Sequence, residues 1–179
     1  VYSLVAGFPV PILLALMLNE VKSKRYKSFV QTVTYAPHFI STVVLVGMIL
    51  LMLSPSNGVI NTIRVMMGLE AKSFMTDPGF FKHIYVWSGI WQNAGWSTII
   101  YLAALSAVDP EQHEAAIIDG ASRLQRIWYI NIPVLVPTMS ILLILNAGSV
   151  MSVGFEKVFL MQNDLIMDTA DVISTYIYR

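Results

Sequence analysis

Four stretches of this chain contain no Asp, Glu, Lys or Arg: residues 1–19, 28–63, 83–108 and 127–155. No other feature limits the possible folds as tightly. A helix crossing ~30 Å of hydrocarbon needs about 20 predominantly apolar residues, and each stretch suffices once its polar ends are trimmed. The spacing predicts spans at 1–18, 34–53, 84–106 and 133–155. A soluble bundle would need polar outer faces, which these runs lack. Strands fit poorly, because the runs are continuous rather than alternating and are rich in Leu, Met and Ala. The fold class is therefore all-α membrane protein, with four transmembrane helices. Composition agrees, since 12% of the 179 residues are charged and 56% are hydrophobic, against about 25% charged in an ordinary soluble domain. Eleven basic and eleven acidic residues balance, so no net field draws a polyanion and no nucleic-acid partner is expected.

The connecting segments set the orientation. Residues 19–31 hold Lys22, Lys24, Arg25 and Lys27 against one acid, Glu20, and dense Lys/Arg in a short loop reads as cytoplasmic. Residues 54–82 are then external, 109–131 internal and 156–179 external again. In the external loop, Val59, Ile63, Met66 and Met67 recur at helical spacing before Gly68. They predict a short helix, either lying at the outer interface or packed as a lid on the bundle. Pro9, Pro11, Pro37, Pro133 and Pro137 lie in or beside the spans and predict kinks, since neighbouring helices can satisfy the freed backbone groups. The chain begins inside an apolar run without Met and ends after a polar stretch, which is expected of an excerpt lacking the first and last helices of a longer protein.

The internal loop carries the most specific signal. Asp109 suits an N-cap, Pro110 suits N1, Gln112 falls at N3 for a box-like cap, and Gly120 is placed for a C-terminal stop. This predicts a helix over about 110–119. It is too polar for the bilayer and too short to be stable alone, so it needs a partner surface. Glu114 and Ile118 are i,i+4 neighbours on it, while Ala115 and Ala116 keep its profile low. A plain amphipathic helix on the membrane surface is the competing interpretation.

Glu114-Ala115-Ala116, Asp119-Gly120-Ala121 and Ile130-Asn131-Ile132-Pro133 resemble the EAA motif of ABC importer permeases. That pattern is Glu-Ala-Ala, three residues, Gly, nine residues, Ile-x-Leu-Pro, and the one departure is Ile132 in place of Leu. Residues 9–16 (PVPILLAL), 35–41 (YAPHFIS), 154–160 (GFEKVFL) and 171–179 (DVISTYIYR) extend the resemblance to the polysaccharide/oligosaccharide permeases (MalF-like, Lpl-type), across essentially all of 1–179. The resemblance implies a type I ABC importer transmembrane domain in the cell inner membrane. Glu114, Ala115, Ala116, Ile118, Asp119, Gly120 and Ala121 would form its cytoplasmic coupling helix. It further implies two ATP-binding cassette subunits, a second permease, an extracytoplasmic solute-binding (lipo)protein, membrane lipid and a carbohydrate substrate. The chain itself would bind no cofactor, with ATP and Mg on the partner ATPases. A non-sugar solute, or a membrane structural or receptor subunit without transport, are the alternatives.

Other chemistries find little support. No Gly precedes a Lys, so there is no P-loop. His113-Glu114 begins the zinc pattern H-E-x-x-H, but Ile117 stands where the second His belongs. There is no catalytic residue and no metal site on this reading. Proton- or sodium-coupled carriers place ionisable residues inside the membrane, and the middles of these spans hold none. Gln92, Asn93 and Trp96, with Trp91 beside them, and Asn146, Ser149 and Ser152 on the fourth span form a candidate substrate path. Counted from the span ends, Asn93 and Asn146 lie at similar depth, ~15 Å in. Amides and indoles at one level suit sugar hydroxyls and C–H faces; interhelical hydrogen bonding with interfacial Trp is the competing explanation. His38 and His83 are expected to be packing or interface residues.

Overall fold

A computed structural model describes residues 1–150 and 154–178. Among the described residues every regular element is helical. The helices are α1 (Tyr2–Gly7), α2 (Pro9–Asn19), α3 (Lys24–Tyr35), α4 (Thr42–Met52), α5 (Val59–Met66), α6 (Pro78–Leu105), α7 (Pro110–Ile118), α8 (Arg123–Arg126), α9 (Ile132–Gly148), α10 (Phe155–Met161), α11 (Met167–Ala170) and α12 (Ile173–Tyr178). Among the described residues two helical stretches, Tyr2–Asn19 and Arg123–Gly148, are long and apolar enough to cross a membrane. The count is three if the helices on either side of Ile40–Ser41 form one broken span.

The chain divides into two compact units. The first comprises Val1–His38 and Ile90–Met151. Its core joins Ala15 and Leu16 of α2, Tyr101 and Leu105 of α6, and Leu135 of α9, flanked by Ile12, Met139 and Leu142. α1 and α2 run on through helical Phe8, although Pro9 and Pro11 withhold two backbone donors. α3 crosses α6 at Gly95, where the backbones come so close that a Cβ on Gly95 would lie 2.0 Å from the Thr34 carbonyl oxygen. Fully buried Thr98 stands one turn on, its hydroxyl donating to the Ala94 carbonyl at 2.7 Å with the Pro11 carbonyl at 3.4 Å. Outward-facing Val5, Leu13, Met17, Ile141, Ile144 and Leu145 are exposed. So much exposed apolar surface would be a liability in water and suits lipid or a partner helix.

The second unit comprises Phe39–Gly89 and Ser152–Arg179. Val46 of α4, Phe81 of α6, Val158 and Met161 of α10, Ile166, and Ala170 of α11 form its core. The loop from Leu53 to Lys72 closes around buried Asn61. The Asn61 amide nitrogen reaches the carbonyls of Leu53, Ser54 and Lys72, and its oxygen accepts the Lys72 N–H at 2.8 Å. α5 forms over the residues its spacing indicated, but Val59, Ile63, Met66 and Met67 are 48–81% exposed. These side chains are thus not packed as a lid on the described residues of their own unit. Asn61 faces inward because its carbonyl partners lie there, and the apolar side is turned out.

Three spans depart from the sequence expectation. Residues 34–53 are not one helix. α3 ends at Tyr35, a short 3-10 turn covers Ala36–Phe39, and extended Ser41 starts α4 by accepting the Val44 N–H. Ala36 before Pro37 stays helical, and the break falls at Ile40–Ser41, where Ser41 is a preferred N-cap that starts a new helix. The stretch at 84–106 falls in α6 as far as Leu105, and that helix is longer and begins at Pro78. The helix expected over 133–155 ends at Gly148, with residues 151–153 outside the described set. It begins earlier, because α8 runs through a π turn (Ile127–Asn131) into α9. Pro133 has no N–H for the Tyr129 carbonyl, and the wider turn accommodates its ring.

Candidate functional site

α7 is built as a separate, preformed element. Asp109 is extended, and its carboxylate accepts the Glu111 N–H at 3.0 Å. No reciprocal bond from Gln112 completes a box there. The capping box is instead at Ser122–Gln125, where the Gln125 side chain accepts the Ser122 N–H at 2.7 Å and Ser122 accepts from Gln125. At the other end Gly120 takes φ +80°. Its N–H donates to the Ile117 carbonyl, and the Ala121 N–H reaches the Ala116 carbonyl at 2.9 Å. This double closure is the Schellman pattern that favours Gly at that position. The helix proper is Pro110–Ile118, with Asp119 as its C-cap.

No residue of α7 is buried. Glu114, Ala115, Asp119 and Gly120 are exposed, Ala116 and Ala121 are half-buried, and Ile117 and Ile118 are 56% and 86% exposed. The exposed apolar surface continues along the chain through Leu124, Trp128 and Tyr129. A nine-residue helix with a shallow alanine surface, flanking acids and two outward isoleucines can be seated in a groove of another protein. Nearby, Arg126 pairs with Glu20 at 3.9 Å, tying the end of α2 to the turn below α9. That pair joins residues far apart in the chain and carries no sequence signature.

The candidate path residues fall into two groups. Asn93 Oδ1 lies 3.1 Å from His38 Nδ1, and the His38 ring stacks on Trp96 with centroids 4.6 Å apart and planes within 6°. His38, expected to pack, is thus the residue that joins the amide to the indole. Trp96 remains 45% exposed and Gln92 half-buried on the same helix. Asn146 and Ser149 are engaged locally. The Asn146 amide donates to the Leu142 carbonyl at 2.8 Å, and the Ser149 hydroxyl to the Asn146 carbonyl. Asn146 lies two residues from the end of α9, whereas Asn93 lies well within α6. Ser152 falls outside the described residues.

Lys157 was not singled out by the sequence. Its ammonium donates to the Tyr85 carbonyl at 2.9 Å and stands 4.8 Å from the Tyr85 ring centroid. Burial lowers its pKa to about 8. On the exposed loop, Lys72 pairs with Asp77 at 2.8 Å and holds that carboxyl below its ordinary value. Among the described residues no group of His, Asp or Glu is arranged to hold a metal.

A family model described as "Binding-protein-dependent transport system inner membrane component" matches residues 7–164. The polygalacturonan/rhamnogalacturonan transport system permease protein YteP of Bacillus subtilis (strain 168) is 46% identical, over 96% of this chain and 53% of its own length. A crystal structure of a bacterial alginate ABC transporter, in complex with an alginate pentasaccharide-bound periplasmic protein, superposes with a TM-score of 0.95. It is 49% identical, and the match covers 99% of this chain and 62% of that one. A second structure, of a bacterial ABC transporter involved in the import of the acidic polysaccharide alginate, matches with a TM-score of 0.96 at 49% identity, over the same shares of both chains. The chain spans about half the length of the curated relative it matches.

Proposed function

The chain belongs to the family of binding-protein-dependent transport system inner membrane components, and from that premise we propose that it is the permease domain of an ATP-driven carbohydrate importer. Residues 1–179 act as one type I transmembrane domain with four spans, the stretch at 34–53 crossing as a broken one. The loop bearing α7 faces the cytoplasm. Two ATP-binding cassette subunits hold ATP and Mg and do the hydrolysis, a second permease completes the pathway, and a solute-binding protein delivers the sugar from outside. That protein docks on the side of residues 54–82 and 156–179. Because relatives are named for polygalacturonan and for an acidic polysaccharide, carboxylated saccharides are the substrate class.

One observation carries the coupling role. α7 is capped at both ends yet buries no residue in this chain. A helix this short gains most of its stability from packing, so its partner lies elsewhere. Seated in a cleft of the ATPase, with Glu114 and Asp119 meeting polar or basic groups, α7 would transmit closure of the ATPases as rigid-body rotation of the helices. Asn93, Trp96 and His38 offer a hydrogen-bonding amide beside a stacking surface, a pairing suited to a sugar ring. The test is a photoreactive label at Ile118→Cys, in a chain without other cysteines, within the assembled transporter. Capture of the ATPase subunit together with ATP-dependent saccharide uptake is expected. A label that never reaches the ATPase in a transporter competent for uptake would overturn the coupling role.

A further inference from the structure

Resting on the reading of this chain as a permease for carboxylated saccharides, we infer that Lys157 of α10 is a specificity-determining residue that recognises the substrate's carboxylate, from its place against Tyr85 and Gly89 of α6. The placement is built by packing. Val158 and Met161 anchor α10 in the core at 2% and 1% exposure, which fixes the neighbouring Lys157 against α6. There, among the described residues, its ammonium keeps neutral company, the Tyr85 carbonyl and the Tyr85 ring. The Tyr85 phenol is itself held by a hydrogen bond to the Gly154 backbone. Among the described residues no carboxylate lies within ion-pair distance of Lys157, and Glu156, next to it in the chain, is exposed.

An ammonium has three N–H donors, and among the described residues one is engaged. A desolvated cation without a counter-charge weakens the folded state, and groups kept at such a cost concentrate where ligands bind. Gly89 sharpens the case. A Cβ there would stand 3.3 Å from the Lys157 nitrogen, so a side chain at 89 would crowd the approach to the ammonium. Tyr85 and Gly89 are i and i+4 on α6 and share one helix face, and the ammonium lies over that face. A uronate carboxylate there makes charge-assisted hydrogen bonds that a neutral sugar cannot.

The test reconstitutes the full transporter in proteoliposomes with its binding protein and compares wild type, Lys157→Met and Lys157→Arg. The probes are tetragalacturonate and neutral maltotetraose. Wild type is expected to import tetragalacturonate, Lys157→Met to lose at least tenfold, and Lys157→Arg to recover most of that loss, with unstimulated ATP hydrolysis unchanged in all three. Met removes a partly buried charge that has no counter-charge among the described residues, so the variant should unfold no earlier than wild type, and the loss cannot be laid to misfolding. Equal tetragalacturonate uptake by wild type and Lys157→Met would overturn the inference. So would an equal loss in both substituted proteins, which marks a packing role. A wild type that carries maltotetraose alone would overturn it while leaving carbohydrate import standing. A wild type that carries no saccharide would instead defeat the underlying functional reading.

Discussion

Replacing Gly95 with Ala tests the crossing that holds the candidate path. The added Cβ would lie 2.0 Å from the Thr34 carbonyl oxygen, 2.5 Å from its carbonyl carbon and 3.1 Å from its Cβ. An ordinary carbon–oxygen contact is about 3.3–3.6 Å, so α3 and α6 must part by about 1.3 Å or more. Both obstacles are helix backbone, which cannot turn aside as a side chain can. Overpacking of this kind costs about 1–3 kcal/mol and sometimes more, while Ala in place of Gly in a helix returns about 1 kcal/mol. The shift also strains the His38–Trp96 stack, whose partners flank the crossing on the same two chain segments. With two backbone obstacles the cost falls at the upper end, about 3 kcal/mol, leaving a net loss of about 2 kcal/mol after the helix gain, read as a Tm several degrees lower in the detergent-solubilised transporter. Gly47→Ala and Gly148→Ala are the controls. Both positions are helical and open, with nothing within 4 Å of the added carbon, so each should hold or raise the Tm. Gly95→Ala matching those controls would refute the close crossing of α3 and α6.

The remaining predictions concern charge, caps and a buried amide. The folded-state pKa of Lys157 lies near 8, below the ordinary 10.5, so between those values the unfolded chain binds more protons and stability rises with pH. The full shift corresponds to about 3 kcal/mol; discounted for partial solvent screening it is about 1 kcal/mol. Thermal unfolding of wild type across pH 8 to 10 should show this rise, and Lys157→Met should be flatter; parallel profiles would contradict it. Asp109→Ala removes the cap of α7 at about 1 kcal/mol, so amide exchange in 110–118 should quicken about fivefold with the global Tm unmoved. Asn131 is fully buried, and neither of its amide atoms has a hydrogen-bond partner in the structure. Because an unpaired buried amide costs about 1–3 kcal/mol, Asn131→Leu should preserve or raise the Tm. A sharp fall would show that the amide has a partner in the assembled transporter.

What could be read from the sequence was what short-range chemistry determines. The charge gaps placed apolar helices at Tyr2–Asn19 and within Arg123–Gly148. Asp109, Pro110 and Gly120 delimited α7 because a cap, a fixed φ and a left-handed exit are local requirements. The break at Ile40–Ser41 carried a local signal too, a Ser cap, which an uninterrupted apolar run concealed. α9 likewise ends at Gly148, inside a run that hydropathy alone extends to 155. Contacts distant in sequence left no trace. His38 meets Asn93 across 55 positions and Lys157 meets Tyr85 across 72, and neither a periodicity nor a cap encodes such a meeting. The candidate path was therefore named from residue type, and its organisation around His38 emerged only with the packing.

The most direct test of the coupling role assigned to α7 is saccharide uptake per ATP hydrolysed in proteoliposomes bearing Glu114→Lys. Glu114 is exposed and makes no ion pair among the described residues, so the substituted chain should fold and assemble as wild type does. Reversing its charge at the ATPase interface should leave hydrolysis running while uptake collapses, with the ratio falling at least tenfold. Undiminished uptake at an unchanged ratio would contradict the assignment of α7 as the coupling helix.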